Sequence, residues 1–345
     1  MGSWTGIPQR PGGLAIRPRL RRSPPPFYSP MTTLTHVAAA VIECPDGRFL
    51  LGQRASGTFY PGYWEFPGGK VEPGETPHQA LVRELAEELE IQVETAYPWL
   101  VREHRYEHAH VRLHFFRVPC WQGEPKDRVH AALAWQRADV LDVAPMLPAN
   151  APVLRALSLP PVYAITQAGN LGIDAQLFAL VQALERGLRL VQIREPKLDP
   201  AQRSAFAHAA TDMCRHYGAR VLINGDPALA MACGADGVHL TNRQLSAAPA
   251  RPDFPWVAAS CHDATDLRRA ADLGLDFAVL GPVKPTPTHP AAMPLGWRSF
   301  AARLRMPHLP VFAIGGMSES DLEQAWRCGA HGVAAIRAVW QMPER

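Results

Sequence analysis

The sequence predicts an α/β protein in two successive parts, an α+β domain followed by a compact (βα)8 barrel. Three observations predict it. The 345 residues suffice for two domains at roughly 150 each, and 47% hydrophobic with 19% charged suits a chain that buries real cores. Up to about residue 159, apolar strand-like runs surround one strong helix. Beyond Pro161, eight short β-branched runs alternate with helical segments. Wholesale disorder is thereby excluded, and no apolar run approaches the ~18 to 20 residues that span a bilayer. Six cysteines (Cys44, Cys120, Cys214, Cys233, Cys261, Cys328) contain no C-x-x-C pair. Neither a zinc site nor a disulfide framework is suggested, and a reducing cytoplasm fits best.

Residues 1–30 carry Pro24-Pro25-Pro26, no acid and the arginines Arg10, Arg17, Arg19, Arg21 and Arg22. Without helical or strand periodicity they are expected to be a disordered tail, or a gene-model extension ahead of a native start at Met31. Native peptides upstream of Met31 would rule out the second. Removing these arginines takes the formal charge from +3 to about −2. The folded part therefore has no basic excess for following a nucleic-acid backbone, and direct nucleic-acid or membrane partners are not expected. Free nucleotides are suitable partners.

The first domain is expected over 31–159, with strands at 37–42, 49–53 and 111–118 and a helix at 77–89. Thr76 is a natural N-cap, Pro77 suits the first helical position, and Gln79 completes a capping box. A stretch punctuated by Pro145, Pro148, Pro152, Pro160 and Pro161 reads as the junction. The second domain, 160–345, has its runs at 162–166, 190–194, 220–224, 237–240, 256–260, 277–281, 311–314 and 332–336. A doubly wound open sheet is the alternative to a closed barrel.

At about 100° per residue, Leu81, Val82, Leu85, Ala86 and Leu89 share one arc of the helix, and Glu84, Glu87 and Glu88 another. Like charges at these spacings oppose the helix by roughly a few tenths of a kcal/mol per pair, with only Arg83 nearby to compensate. A hard cation such as Mg²⁺ takes oxygen ligands and pairs with substrate phosphates. A solvated acidic face is the plainer alternative.

The spacing around that helix favours the cation. Trp64-Glu65-Phe66-Pro67-Gly68-Gly69-Lys70-Val71-Glu72-Pro73-Gly74-Glu75 leads into it, and Gly69, Glu75, Arg83, Glu84, Leu85, Glu87, Glu88 and Ile91 follow G-x5-E-x7-R-E-U-x-E-E-x-G-U. The segment resembles the Nudix hydrolases, departing at Glu90, where the pattern has a helix-ending glycine. The resemblance implies an α/β/α sandwich and a Mg²⁺ cofactor, with Mn²⁺ as a substitute. It also implies that Glu84, Glu87 and Glu88 are catalytic and metal-binding, with Glu84 the general base and the Gly68 carbonyl a further ligand. Glu75 and Arg83 would brace the loop. Gly123-Glu124-Pro125, Trp135 and Pro148-Ala149-Asn150-Ala151-Pro152-Val153 resemble the MutT type, which hydrolyses 8-oxo-dGTP to the monophosphate and pyrophosphate. By that resemblance Asn150 meets the purine edge, Arg54 sits beside the base and Phe66 walls the pocket; a turn cap, a surface charge and ordinary core are the plainer roles. The additional metal-side glutamate of that type is missing, and Asp127 or His130 is its candidate replacement.

In the second domain, Val191-Gln192-Ile193-Arg194-Glu195, Gly234 to Leu240, Gly281-Pro282-Val283-Lys284-Pro285-Thr286-Pro287-Thr288 and Ala313-Ile314-Gly315-Gly316 resemble thiamine-phosphate synthase. That implies a phosphate site at Gly315 and Gly316, reinforced by Arg337, and a thiamine-related phosphate ligand. The family's acids for Mg²⁺-pyrophosphate are replaced by Asn224-Gly225 and Thr241-Asn242-Arg243-Gln244, with Asp226 able to slide into the metal role. Two lysines are replaced by His289 and by Pro196, with Lys197 one place on. The expected function is Mg²⁺-dependent hydrolysis of 8-oxo-dGTP, which clears a mutagenic precursor from the nucleotide pool, beside a degenerate synthase-like barrel. The alternatives are an active synthase, or hydrolysis of another nucleoside diphosphate derivative beside a phosphate-binding barrel.

Overall fold

A computed structural model describes residues 34–287 and 293–341; the expected tail, the Met31 start and His289 lie outside the described residues. The first domain has two sheets. Strands β1 (Leu34–Ile42), β2 (Phe49–Arg54), β3 (Trp64–Glu65) and β4 (Gly68–Lys70) precede helix α1 (Pro77–Leu89). After it come β5 (Gln92–Arg105), β6 (His110–Gln122), β7 (His130–Gln136) and α2 (Ala151–Leu157). One sheet has the order β4-β1-β6-β5 and the other β3-β2-β7. β1 is buried on both faces: Ala38, Ala40 and Ile42 pack with Leu81, Leu85 and Leu89 of α1, while Ala39 and Val41 pack with Phe49, Phe66 and Val153 on the α2 side. This layering is the α/β/α arrangement expected.

The proline-punctuated stretch is part of this domain rather than a loose junction. The Trp64 N–H donates to the Pro145 carbonyl at 2.8 Å, and the Leu147 N–H to that of Trp64 at 3.0 Å. A 3₁₀ turn, Pro148–Asn150, then runs into α2, whose Val153 and Ala156 are buried. The connection shrinks to residues 158–161.

The second domain is a closed parallel barrel rather than an open sheet. Its strands are β8 (Val162–Ile165), β9 (Leu190–Ile193), β10 (Arg220–Asn224), β11 (Gly237–Leu240), β12 (Trp256–Cys261), β13 (Phe277–Leu280), β14 (Val311–Ile314) and β15 (Gly332–Ala335). The barrel closes through pairing of β15 with β8 and of β8 with β9. Several connecting helices are short, such as Pro227–Ala232, Asn242–Ala247 and Leu322–Arg327. Tyr163, Leu222, Phe277 and Phe312 fill the interior.

The described parts of both domains pack as one unit. β5 lies at a sheet edge, and an uncovered edge would invite pairing with other chains. The barrel covers it: the Val101 N–H donates to the Pro307 carbonyl at 2.9 Å, and Arg102 Nη1 to that of His308 at 2.8 Å. Nearby, Trp99 Nε1 donates to His331 Nδ1 at 3.2 Å, while His331 Nε2 donates to the Leu159 carbonyl at 2.9 Å. Among the described residues, no helix is long and apolar enough to cross a membrane.

Candidate active site

The capping box starts α1 at Pro77: Gln79 N–H donates to Thr76 Oγ1 at 3.3 Å and Thr76 N–H to Gln79 Oε1 at 2.8 Å. The buried face is Ala80, Leu81, Leu85 and Leu89. Ala86, expected on that face, is exposed, and Val82 is only half-buried. The helix is therefore rotated toward Ala80 and Glu84, which brings the Glu84 carboxylate against β4. A Cβ on Gly69 would run into that carboxylate, and one on Gly68 (φ 142°) into the Ala38 carbonyl. The glycines permit the approach of strand, helix and carboxylate.

Glu90 ends the helix in the left-handed conformation usually given to glycine (φ 57°, ψ 32°). Its carboxylate pairs with Lys126 at 2.8 Å and with Arg128. The N–H groups of Lys126 and Arg128 donate to the carbonyls of Leu89 and Glu88 at 2.9 and 3.2 Å, satisfying the helix end. The lost glycine thus leaves the helix terminus intact.

Arg83 grips Glu75 through Nε at 2.8 Å and Nη2 at 3.0 Å, and also donates to the Lys70 carbonyl at 3.0 Å. Its guanidinium holds the Glu75 carboxyl down at about 2. Arg83 Nη1 meets Glu84 at 3.0 Å and Glu87 at 3.3 Å. The Glu87 side chain is 62% exposed and turned toward Arg83. Glu84 and Glu88 are the acids brought together, with Glu65 as a third charge that sequence reasoning missed. Burial foremost, then Glu84 and Glu65, pushes Glu88 up to about 7, against a hydrogen bond from the Gly68 backbone. Glu88 Oε2 is buried without a partner. Among the described residues no three His, Cys, Asp or Glu side chains form a ready metal cage. The orphaned, like-charge-crowded oxygen nevertheless fits a hard divalent cation, which would supply its missing partner.

Beside the acids, Arg54 Nη1 donates to both Glu65 oxygens at 2.7 Å, and its Nε to the Phe59 carbonyl at 2.6 Å. Arg54 is therefore an ion-pair partner rather than a free surface charge. Burial raises Glu65 despite that pairing. His130 packs its ring against Gly52, with Nδ1 buried and unpartnered, and burial lowers its pKa. Asp127 is exposed. Asn150 is 2% exposed, and its Nδ2 donor has no partner. Phe66 lies in the core, its ring 5.8 Å from those of Phe49 and Phe115. An aromatic group unread in the sequence adjoins the site: Tyr106, hydrogen-bonded to the Ala149 backbone, lies 5.5 Å from Tyr60, and Phe59 stacks on His108 at 3.8 Å.

At the barrel mouth, a cavity of about 270 Å³ is lined by Arg194, Asn224, His239, Asn242 and Ser260. Gln192 Nε2 donates to the Tyr163 hydroxyl at 3.0 Å, which lies 3.2 Å from His239 Nδ1; His239 Nε2 lies 2.9 Å from Ser260 Oγ. If Tyr163 donates to Nδ1, His239 donates to Ser260 and leaves the serine proton for the cavity. Gly315 (φ 100°) and Gly316 (φ 65°) turn beneath Pro282 and Lys284, where a Cβ would collide. With Arg337 they line an adjoining space of about 380 Å³.

Asp226 does not enter this site: its Oδ1 caps the following helix through the Leu229 N–H at 3.0 Å, and Arg203 stands 4.0 Å away. The one-residue displacement redirects its side chain, and Asp226 does not take the metal position. Gln244 is spent in a capping box with Thr241 and on the Gly225 carbonyl at 2.9 Å. Asn242 Nδ2 is buried and unpartnered, and Lys197 bonds Asn170 at 2.6 Å. The residues in the acid positions bring no carboxylate to the lining of this cavity.

Fold and sites together define a class: a carboxylate-helix α/β/α sandwich joined to a (βα)8 barrel with a glycine loop after its seventh strand. Residues 162–339, just over half of the chain, match the thiamine monophosphate synthase family, and the chain belongs to it; residues 34–157 match the NUDIX domain. A putative thiamine-phosphate synthase of Geobacter sulfurreducens is 38% identical over 188 residues, 53% of this chain and 88% of the relative. A thiamine-phosphate synthase of Thiobacillus denitrificans is 35% identical over 187 residues, with the same coverages of 53% and 88%. Among solved structures, the E. coli ORF135 protein shows 39% identity over 36% of this chain and 87% of its own, with a TM-score of 0.32. A MutT NUDIX hydrolase from Burkholderia pseudomallei shows 32% identity over 35% of this chain and 95% of its own, with a TM-score of 0.33.

Proposed function

We propose that the first domain is a pyrophosphohydrolase that converts 8-oxo-dGTP to 8-oxo-dGMP and pyrophosphate, removing an oxidised precursor from the nucleotide pool. The observation that carries the substrate assignment is Asn150: a buried amide whose Nδ2 has no partner can donate to a purine O6 while its Oδ1 accepts the N7–H that 8-oxoguanine carries and guanine does not. Arg54 orients Glu65, and Tyr106, next to both and to the Ala149 backbone, supplies an aromatic face. Glu84, Glu88 and the Gly68 carbonyl, with Glu87 from the rim, would hold Mg²⁺ or Mn²⁺. When bound, the cation supplies Lewis-acid polarisation of phosphate oxygens. Glu84 Oε takes the proton of the attacking water, and the Glu75–Arg83 clamp keeps β4 and α1 in register while it does so. Pyrophosphate release by the full chain with Mg²⁺ should fall by about 10²-fold or more in Glu84→Gln and in Glu88→Gln. Full activity in both variants would refute the assignment.

For the barrel, the committed Asp226 and the unpartnered Asn242 amide favour a site that binds a phosphorylated, thiamine-related ligand without Mg²⁺-pyrophosphate chemistry. Rescue of a thiamine auxotroph lacking its synthase by the full chain would contradict that reading.

A further inference from the structure

Apart from both of these sites, the two domains leave a cleft of about 770 Å³ between the first domain and the end of the barrel where its strands begin. Five guanidinium groups line it: Arg117 and Arg137 from the first domain, Arg189, Arg215 and Arg220 from the barrel. Only three carboxylates do, and their commitments are visible. Glu43 is held by Arg117 at 2.6 and 2.9 Å, and Asp139 by Arg137 at 3.2 Å. Asp236 accepts the Val221 N–H at 2.7 Å.

Five guanidiniums against three carboxylates leave the lining with an excess of positive charge, which Asp236 and Asp276 near Arg220 only partly offset. Arg189 donates to the carbonyls of Leu184 and Leu188 at 2.9 and 2.8 Å, which orient the guanidinium without neutralising it. Arg220 lies 3.9 Å over the Trp256 ring. Arg215 meets Asp212 at 2.6 Å, an acid outside the cleft lining. Arg117 Nη1 is buried without a hydrogen-bond acceptor, the guanidinium lying 5.8 and 5.5 Å from the Trp99 and Trp326 rings while the other nitrogens of its fork grip Glu43. A buried guanidinium N–H without an acceptor is costly, and phosphate oxygens match the planar fork. The volume also falls within the usual range for small-molecule sites, roughly 300 to 1,000 Å³.

We infer that this cleft binds a small molecule carrying two or more phosphate groups, and that the ligand touches both domains at once. Neither domain alone carries the full set of guanidiniums, so occupancy would tie the first domain to the barrel.

Calorimetry on the full chain in EDTA, which keeps divalent cations from the acid site, tests it with inorganic tripolyphosphate and, separately, ATP. Binding should weaken by about tenfold or more in Arg189→Gln, which keeps donors for the carbonyls, and in the exposed Arg215→Ala; added salt should weaken it further. If one variant fails to fold, the other still decides. Equal affinity for the two probes assigns recognition to the phosphates, and tighter ATP extends it to the nucleoside; both support the site. No binding by the wild type, or affinities within about twofold in both variants, overturns it. So does loss on Glu88→Gln or Arg337→Ala in their place, which would move the anion to the acid site or the barrel mouth.

Discussion

Glu88, proposed above as a cation ligand, is a residue whose role would set function against stability. Its carboxylate is crowded by Glu84 and Glu65, and one oxygen is buried without a partner. A buried charge that lacks its counter-ion destabilises the fold. Glu88→Gln removes the charge while keeping the shape, so in EDTA it should raise the melting temperature even though hydrolysis is lost. A lower melting temperature in EDTA would mean that the carboxylate is satisfied by something other than a cation. The acid spacing on α1 was legible because helix periodicity alone places Glu84 and Glu88 on one side. Glu65 was not, because nothing local shows that a two-residue strand turns its side chain toward Arg54 and the helix. Asp226 was legible in its negative sense: a one-residue shift at a strand end redirects a side chain, and the backbone there makes it an N-cap.

At the level of elements, the barrel strands were readable almost to the residue, since parallel strands buried on both faces appear as short continuous apolar runs. β5 was not. Pro98 and three register irregularities break its alternation, and its edge is satisfied by residues 307–308, more than 200 positions away in the chain. The same contact yields a pH prediction. Burial pushes His331 down to about 3, and in the fold it accepts from Trp99 and donates to Leu159. The unfolded chain protonates near 6.5 while the folded chain stays neutral, so the unfolded state binds more protons between these values. Stability from this residue is complete above about 6.5 and is lost as pH falls toward 3, at roughly 1.4 kcal/mol per pH unit. Urea unfolding between pH 6 and 4 should show a shallower loss in His331→Gln than in the wild type. Equal slopes would mean that His331 is protonated in the fold.

Across the whole molecule, two domains that match different family models share one packed unit. The glycines serve close approach in both: Gly68 and Gly69 admit Glu84 to β4, while Gly315 and Gly316 admit the loop of Pro282 and Lys284 to the barrel rim. Family membership was legible from such motifs. The docking of Trp99 on His331 was not, because no local pattern encodes a partner that far along the chain. Selection of an oxidised purine nucleotide by the first domain would run through Asn150. The most direct test is kcat/KM of the full chain with Mg²⁺ for 8-oxo-dGTP against dGTP, in the wild type and in Asn150→Ala. The wild type should prefer 8-oxo-dGTP by about a hundredfold or more, with most of that preference lost in the variant. Equal values for the two nucleotides, or a preference that Asn150→Ala leaves intact, would contradict it.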